Sequence, residues 1–173
     1  MPEYQLYCFA QSGNAYRAAL MLNLIGADWK PVYVDFFKGG ETRTPKYRAE
    51  VNEMGEVPVL VHGGKKLSQS GVILTYLSDH TGKFKPDGED ERLEALRWII
   101  FDNQKVNGFL GPYRFLKNFA RPAGDPAVMA FLKGRIDGNL AIVDKRLAWL
   151  DRIKALPGWK HPYELMPGYP PTL

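Results

Sequence analysis

Apolar residues in this chain follow two different rhythms, and the change comes once, at Gly82. Before it, short alternating runs trade places with stretches of helical spacing; after it no strand-like alternation occurs. Residues 4 to 8 alternate as a strand, and Gly13 to Ile25 carry apolar residues at helical spacing up to Gly26, which suits a helix stop. Trp29 to Val34, rich in β-branched and aromatic residues, reads as a second strand, and Thr44-Pro45 sets a capping hydroxyl before a first-turn proline. Val57 to Val61 and Lys65 to Leu67, joined by His62-Gly63-Gly64, read as a hairpin, and Gln69 to Thr81 as a helix. The first 82 residues therefore spell β-α-β-α-β-β-α.

Past a linker at 83–88 the spacing predicts helices alone. The first runs from Glu89 to Phe119 with a kink at Gly111-Pro112; the next is opened by Asp125-Pro126 and reaches about Ala148; a short one covers Trp149 to Leu156. Residues 157–173 hold five prolines and read as an irregular strap anchored by Trp159 and Tyr163. The fold class expected is α/β plus all-α: a domain at 1–82, a linker at 83–88 and an all-helical domain at 89–173.

The chain has 173 residues, 45% of them hydrophobic, enough to bury a full core. Its net charge of +4 comes from basic residues scattered among 19 acidic ones, which argues against a nucleic-acid partner. One cysteine, Cys8, excludes an internal disulfide framework and suits a small core residue in a reducing, cytoplasmic setting. His62, His80 and His161 are far apart in sequence and offer no metal-ligand spacing, so no metal is expected. The start lacks the features of a signal peptide and no apolar run approaches membrane-spanning length, so no membrane association is expected.

Two short stretches carry binding chemistry. In Gly55-Glu56-Val57-Pro58-Val59-Leu60 the proline pushes Val57 into the β region, where its backbone groups can pair with a peptide. Gln69-Ser70, at the start of a helix, offers an anion a hydroxyl, an amide and unpaired N–H groups. Together they make a candidate site for a small, zwitterionic, peptide-like molecule. From the residues alone, Val57-Pro58 is also an ordinary strand start and Gln69-Ser70 an ordinary cap. Ser12-Gly13-Asn14 reads as an N-cap and turn, and Trp98, Phe101 and Tyr113 as a core stripe on a helix.

The element order, with Leu6-Tyr7, Ser12-Gly13-Asn14, Gly55-Glu56-Val57-Pro58 and Leu67-Ser68-Gln69-Ser70-Gly71-Val72-Ile73 in sequence, resembles the glutathione S-transferase family. Trp149-Leu150-Asp151-Arg152-Ile153 and Leu156-Pro157-Gly158-Trp159 look like the closing helix of its bacterial members. The resemblance implies a thioredoxin-like domain that holds glutathione as co-substrate, a helical domain, a homodimer, and a small hydrophobic electrophile bound between domains. It implies that Val57 pairs with the cysteinyl backbone of glutathione, that Pro58 is cis, and that Gln69 and Ser70 hold the γ-glutamyl end. Arg43 would meet the glycine carboxylate, and Tyr113 would face the second substrate. Family members activate the thiol with tyrosine, serine or cysteine; Ser12 stands at the serine position, with Asn14 as helper, while Cys8 lies inside the strand. The activity implied is a serine-type glutathione transferase. A glutathione-dependent disulfide reductase or peroxidase, and a non-catalytic binding module, are its alternatives.

One part of the family pattern is missing. Members carry a buried helix introduced by a Ser/Thr-x-x-Asp box before the closing helix, yet no serine or threonine lies between Thr81 and Thr172. Arg146-Leu147-Ala148 runs straight into Trp149-Leu150, so an internal segment near 146–149 is expected to be absent, by natural deletion or by omission from the chain.

Overall fold

The structure, a computed structural model, describes residues 2–145 and 148–168. The junction near 146–149, where the sequence suggests an absent segment, falls largely outside the described residues. The chain divides into two compact units: one runs to Lys85 and takes up the chain again from Ala155, the other is Pro86–Lys154.

The first unit is built on a four-stranded sheet of β1 (Tyr4–Cys8), β2 (Trp29–Tyr33), β3 (Val59–His62) and β4 (Lys65–Ser68), in the order β2-β1-β3-β4. β1 and β2 run parallel, while β3 is antiparallel to both β1 and β4. Pro31 is tolerated because β2 is an edge strand. The β3–β4 turn uses Gly63 and Gly64 at φ 54° and 80°, the pair of left-handed residues that a two-residue hairpin needs. Against the sheet pack α1 (Gly13–Leu24) and α3 (Ser70–Thr81); the short α2 (Pro45–Glu50) is capped by Thr44, whose hydroxyl accepts from the Tyr47 N–H at 3.1 Å. Alternation in β1 turns Tyr4, Leu6 and Cys8 inward, where they meet Ala15, Ala18 and Leu22 of α1 and Ile73 and Leu77 of α3. Each large aliphatic side chain removed from water there contributes about 1.5–3 kcal/mol.

The second unit contains α4 (Gly88–Phe101), α5 (Gly108–Asn118), α6 (Pro126–Asp144) and α7 (Ala148–Lys154). The break expected at Gly111-Pro112 lies elsewhere: Pro112 sits inside α5, and Asp102–Asn107 upstream forms a π-helical stretch. A widened turn is a recognised way for a helix to shift register. Asp125 caps α6 as its sequence implies, accepting from the Ala127 and Val128 N–H groups at 2.8 and 3.2 Å.

Residues 155–168, read from the sequence as the end of the helical region, pack on the first unit instead. Met166 is buried in the sheet unit's core, with Tyr163 and Leu165 against it, because α1 presents an apolar face there. Asn23 donates to the Gly158 carbonyl, Tyr16 donates to the Lys160 carbonyl at 2.9 Å, and the Ala10 N–H donates to the Pro167 carbonyl at 2.9 Å. The apolar anchor is thus Met166, with Tyr163, while Trp159 is half-buried. The tail includes α8 (Pro162–Leu165), capped by His161.

Candidate functional site

Strand direction gathers the candidate residues. The C-terminal ends of β1, β2 and β4 and the N-terminal end of β3 lie together, since Cys8 faces Tyr33, Tyr7 faces Val59 and Val59 faces Ser68. Ser12 follows β1, Arg43 follows β2, Val57-Pro58 precede β3 and Gln69-Ser70 follow β4. All of them therefore emerge at one end of the sheet.

Ser12 is the N-cap of α1: its hydroxyl oxygen accepts from the Ala15 N–H at 3.2 Å. Capping uses the oxygen as an acceptor and leaves the hydroxyl proton to be donated. Asn14, in the first turn, accepts at Oδ1 from the Ser70 hydroxyl at 3.4 Å, which joins the starts of α1 and α3. Ser70 is buried, so its hydroxyl serves this junction. The groups α3 presents outward at its start are backbone N–H groups, which lack intrahelical acceptors.

Gln69 caps α3 with φ 68° and ψ 116°, a conformation uncommon for a residue with a side chain. Its amide donates to Glu56 Oε2 at 3.1 Å and to Met54 Sδ at 3.3 Å, which ties the start of α3 to the loop before Val57. That loop is held from beneath. The Glu56 carbonyl accepts from the Tyr47 hydroxyl at 2.9 Å and from the Asn52 amide at 3.0 Å. Tyr47 is buried, and burial above all, with Glu41 nearby, raises its phenol pKa, so it remains a donor at any working pH. Gly55 turns at φ +68°, and a Cβ there would lie 2.7 Å from the Thr42 carbonyl and from Arg48 Nη2. The Val57–Pro58 peptide is cis. Glu56, Tyr47 and Asn52 are the residues sequence reading missed. Glu56 was visible in the motif as a turn residue, whereas Tyr47 and Asn52 carry no local signal for a bond that closes across a loop.

Arg43 is exposed, with its guanidinium 5.4 Å from the centre of the Phe36 ring, and Phe36 in turn stacks on Phe9 at 5.0 Å. Cys8 is fully buried, and burial pushes its thiol up to about 12, so it is no nucleophile. In the helical unit Tyr113 is half-buried with the Lys117 ammonium 5.8 Å from its ring; Trp98 donates to Glu94 at 2.7 Å and meets Phe101 edge-on. The histidines require a correction. His62 and His80, read as too far apart to share a ligand, lie with their rings 4.8 Å apart at the other end of the sheet, because α3 returns the chain to where β3 ended.

Residues 2–79 match the family model described as glutathione S-transferase, N-terminal domain. A glutathione S-transferase of Arabidopsis thaliana is 33% identical over 152 residues, 84% of this chain and 68% of its own. A disulfide-bond oxidoreductase of Escherichia coli (strain K12) is 29% identical over 146 residues, 80% of this chain and 66% of its own. Among solved structures, a glutathione transferase family member from Pseudomonas fluorescens with two glutathione bound has a TM-score of 0.75 at 25% identity, over 85% of this chain and 66% of that one. The sheet unit is thioredoxin-like and a helical region follows it. The chain belongs to the glutathione S-transferase family. It spans between about a third and two thirds of the length of the curated relatives it matches. No helix among the described residues is long and apolar enough to cross a membrane.

Proposed function

We propose that this chain binds glutathione at the Ser12 end of its sheet and acts as a serine-type transferase of bacterial kind, directing the thiolate at a small hydrophobic electrophile. The observation that carries the reading is the Asn14–Ser70 hydrogen bond at 3.4 Å, which ties the hydroxyl-bearing start of α1 to the N–H-bearing start of α3. In this reading Val57 pairs through its backbone with the cysteinyl part of glutathione, beside the buried Pro58. The amide of Gln69 and the N–H groups around Ser70 hold the γ-glutamyl end. Arg43 takes the glycine carboxylate, Tyr113 faces the electrophile, and the working form is a cytoplasmic homodimer of a glutathione-binding domain and a helical one.

The chemistry is a proton-affinity problem. A free thiol titrates at about 8.5, so only a few per cent is thiolate at neutral pH. A hydroxyl donated to the thiolate contributes about 1.5–3 kcal/mol, and each pKa unit corresponds to about 1.4 kcal/mol, so Ser12 lowers the pKa by one to two units. The start of α1 adds about 0.3–1 kcal/mol in the same direction. The thiolate sulfur then forms a bond to the electrophilic carbon while the leaving group departs with the bonding pair. No base is required in this step, because the proton has already passed to solvent.

A second reading, reduction of a disulfide or peroxide by glutathione, is favoured by the similarity to the disulfide-bond oxidoreductase of Escherichia coli. Turnover separates the two. With glutathione and an activated aryl halide, or with glutathione and a low-molecular-weight disulfide, the rate measured for wild type and Ser12→Ala identifies the reaction. Conjugation that falls about 10- to 100-fold in Ser12→Ala supports the transferase, as expected for a loss of one to two pKa units. Disulfide reduction without conjugation supports the second reading. Neither activity, with glutathione still bound, makes the chain a binding module.

A further inference from the structure

At the end of the sheet opposite Ser12, Glu3, His62 and His80 bring three ligand atoms within 4.8 Å of one another. Glu3 immediately precedes β1, His62 ends β3 and His80 lies in the last turn of α3. We infer that these three residues form a binding site for a single zinc ion, with two imidazoles and one carboxylate as ligands and a fourth position open to water.

Three features set this cluster apart from a chance grouping of polar side chains. The first is separation. His62 Nε2 lies 3.3 Å from Glu3 Oε1, longer than a charge-assisted hydrogen bond of about 2.7–2.9 Å. Two ligands of a tetrahedral zinc with bonds of about 2.0–2.1 Å are about 3.3 Å apart. The second is orientation. His62 Nδ1 is 2.6 Å from the Tyr76 hydroxyl, so the ring's other nitrogen is the one that faces Glu3. The phenol oxygen can accept from Nδ1–H, and in that tautomer Nε2 keeps the lone pair that a metal needs, so zinc binding selects it and Tyr76 supports it as an outer partner.

The third feature is preorganisation. Tyr4 stacks on His62 at 4.2 Å and 26°, and Tyr76 stacks on His80 at 5.5 Å and 7°. His62 is held inside, whereas His80 and the Glu3 carboxylate are exposed. His80 also lies at the negative end of the α3 dipole, which favours a cation. Imidazole nitrogens with a carboxylate suit zinc, whereas magnesium and calcium prefer oxygen alone.

The test is calorimetric titration of the whole chain with zinc chloride near neutral pH, in metal-free buffer without glutathione or other thiols, since thiolates compete for zinc. One ion per chain in the micromolar range or tighter is expected. His80→Ala and Glu3→Gln change exposed side chains and leave the fold intact; each is expected to weaken binding by at least about tenfold, and Tyr76→Phe by about 10- to 100-fold through loss of the outer partner. His161→Asn, which removes the histidine outside the cluster, is expected to change nothing. Absence of saturable micromolar binding, or an affinity unmoved by both His80→Ala and Glu3→Gln, overturns the site.

Discussion

The sheet unit and the helical unit differ in how far each closes on itself. In the sheet unit Leu6, Leu22, Leu60, Ile73 and Leu77 are fully buried by two helices and the returning tail. In the helical unit the buried apolar residues among those described are Leu132 and Ile136, while Leu93, Leu96, Ile100, Phe131, Leu140 and Ile142 remain exposed. A sheet face needs only one covering layer to bury an alternating set, whereas a helix buries its stripe only to the extent that other helices meet it. The proposed glutathione site is accordingly assembled on the part of the chain that supplies its own rigid support.

The difference is open to direct attack, and core truncation is the sharpest probe. Leu60→Ala or Ile73→Ala should destabilise the chain by about 2–5 kcal/mol in urea unfolding, whereas Ile100→Ala should stay within about 0.5 kcal/mol. Equal losses would erase the contrast. One substitution is expected to act with opposite sign in the two units. Gly55→Ala, with a left-handed φ and backbone 2.7 Å from the new methyl, should cost about 1–3 kcal/mol and weaken glutathione binding. Gly134→Ala, inside α6 with open space around it, should stabilise by up to about 1 kcal/mol.

Alkali should act on the sheet unit, where burial raises the Cys8 thiol and the Tyr4 phenol, the latter with help from Glu3, to about 12. Their folded forms hold protons that the unfolded chain releases, so stability is complete below about pH 8, under the free thiol's value, and falls as pH rises towards 12. At pH 10 the loss from Cys8 is on the order of 1 kcal/mol. Cys8→Ala should flatten that decline, as read by unfolding at a series of pH values. A comparably modest effect is expected of Tyr47→Phe, which removes one of two donors to the Glu56 carbonyl. It should cost about 1 kcal/mol and reduce glutathione affinity through the Val57 loop.

What could be read in advance depended on the range of the interaction. The Ser12, Thr44 and Asp125 caps, the Gly63-Gly64 hairpin and the strand alternation are local, and each stands in the structure within a residue or two of its expected place. The order of elements is local information as well, while the thioredoxin-like arrangement of the sheet, β2-β1-β3-β4, was implied by the family resemblance rather than by the spacing of residues. The bond from Asn14 to Ser70 spans 56 positions and the Glu3–His62–His80 cluster joins three elements, so no local pattern announces either. The tail misled for a related reason. Its prolines mark irregular backbone, but the face Met166 packs against is chosen by α1, which lies far back in the chain. The π-helical stretch at Asp102–Asn107 likewise has no composition that separates it from the α-helix on either side.

The most direct test of the glutathione reading is the thiolate absorbance of bound glutathione, followed in the ultraviolet against pH for wild type and Ser12→Ala. A thiol pKa lowered by about one to two units from about 8.5 is expected in wild type, returned most of the way in Ser12→Ala, with glutathione bound in both. A thiol that titrates at its ordinary value in bound wild type, or a lowered value that survives Ser12→Ala, would contradict the role given to Ser12.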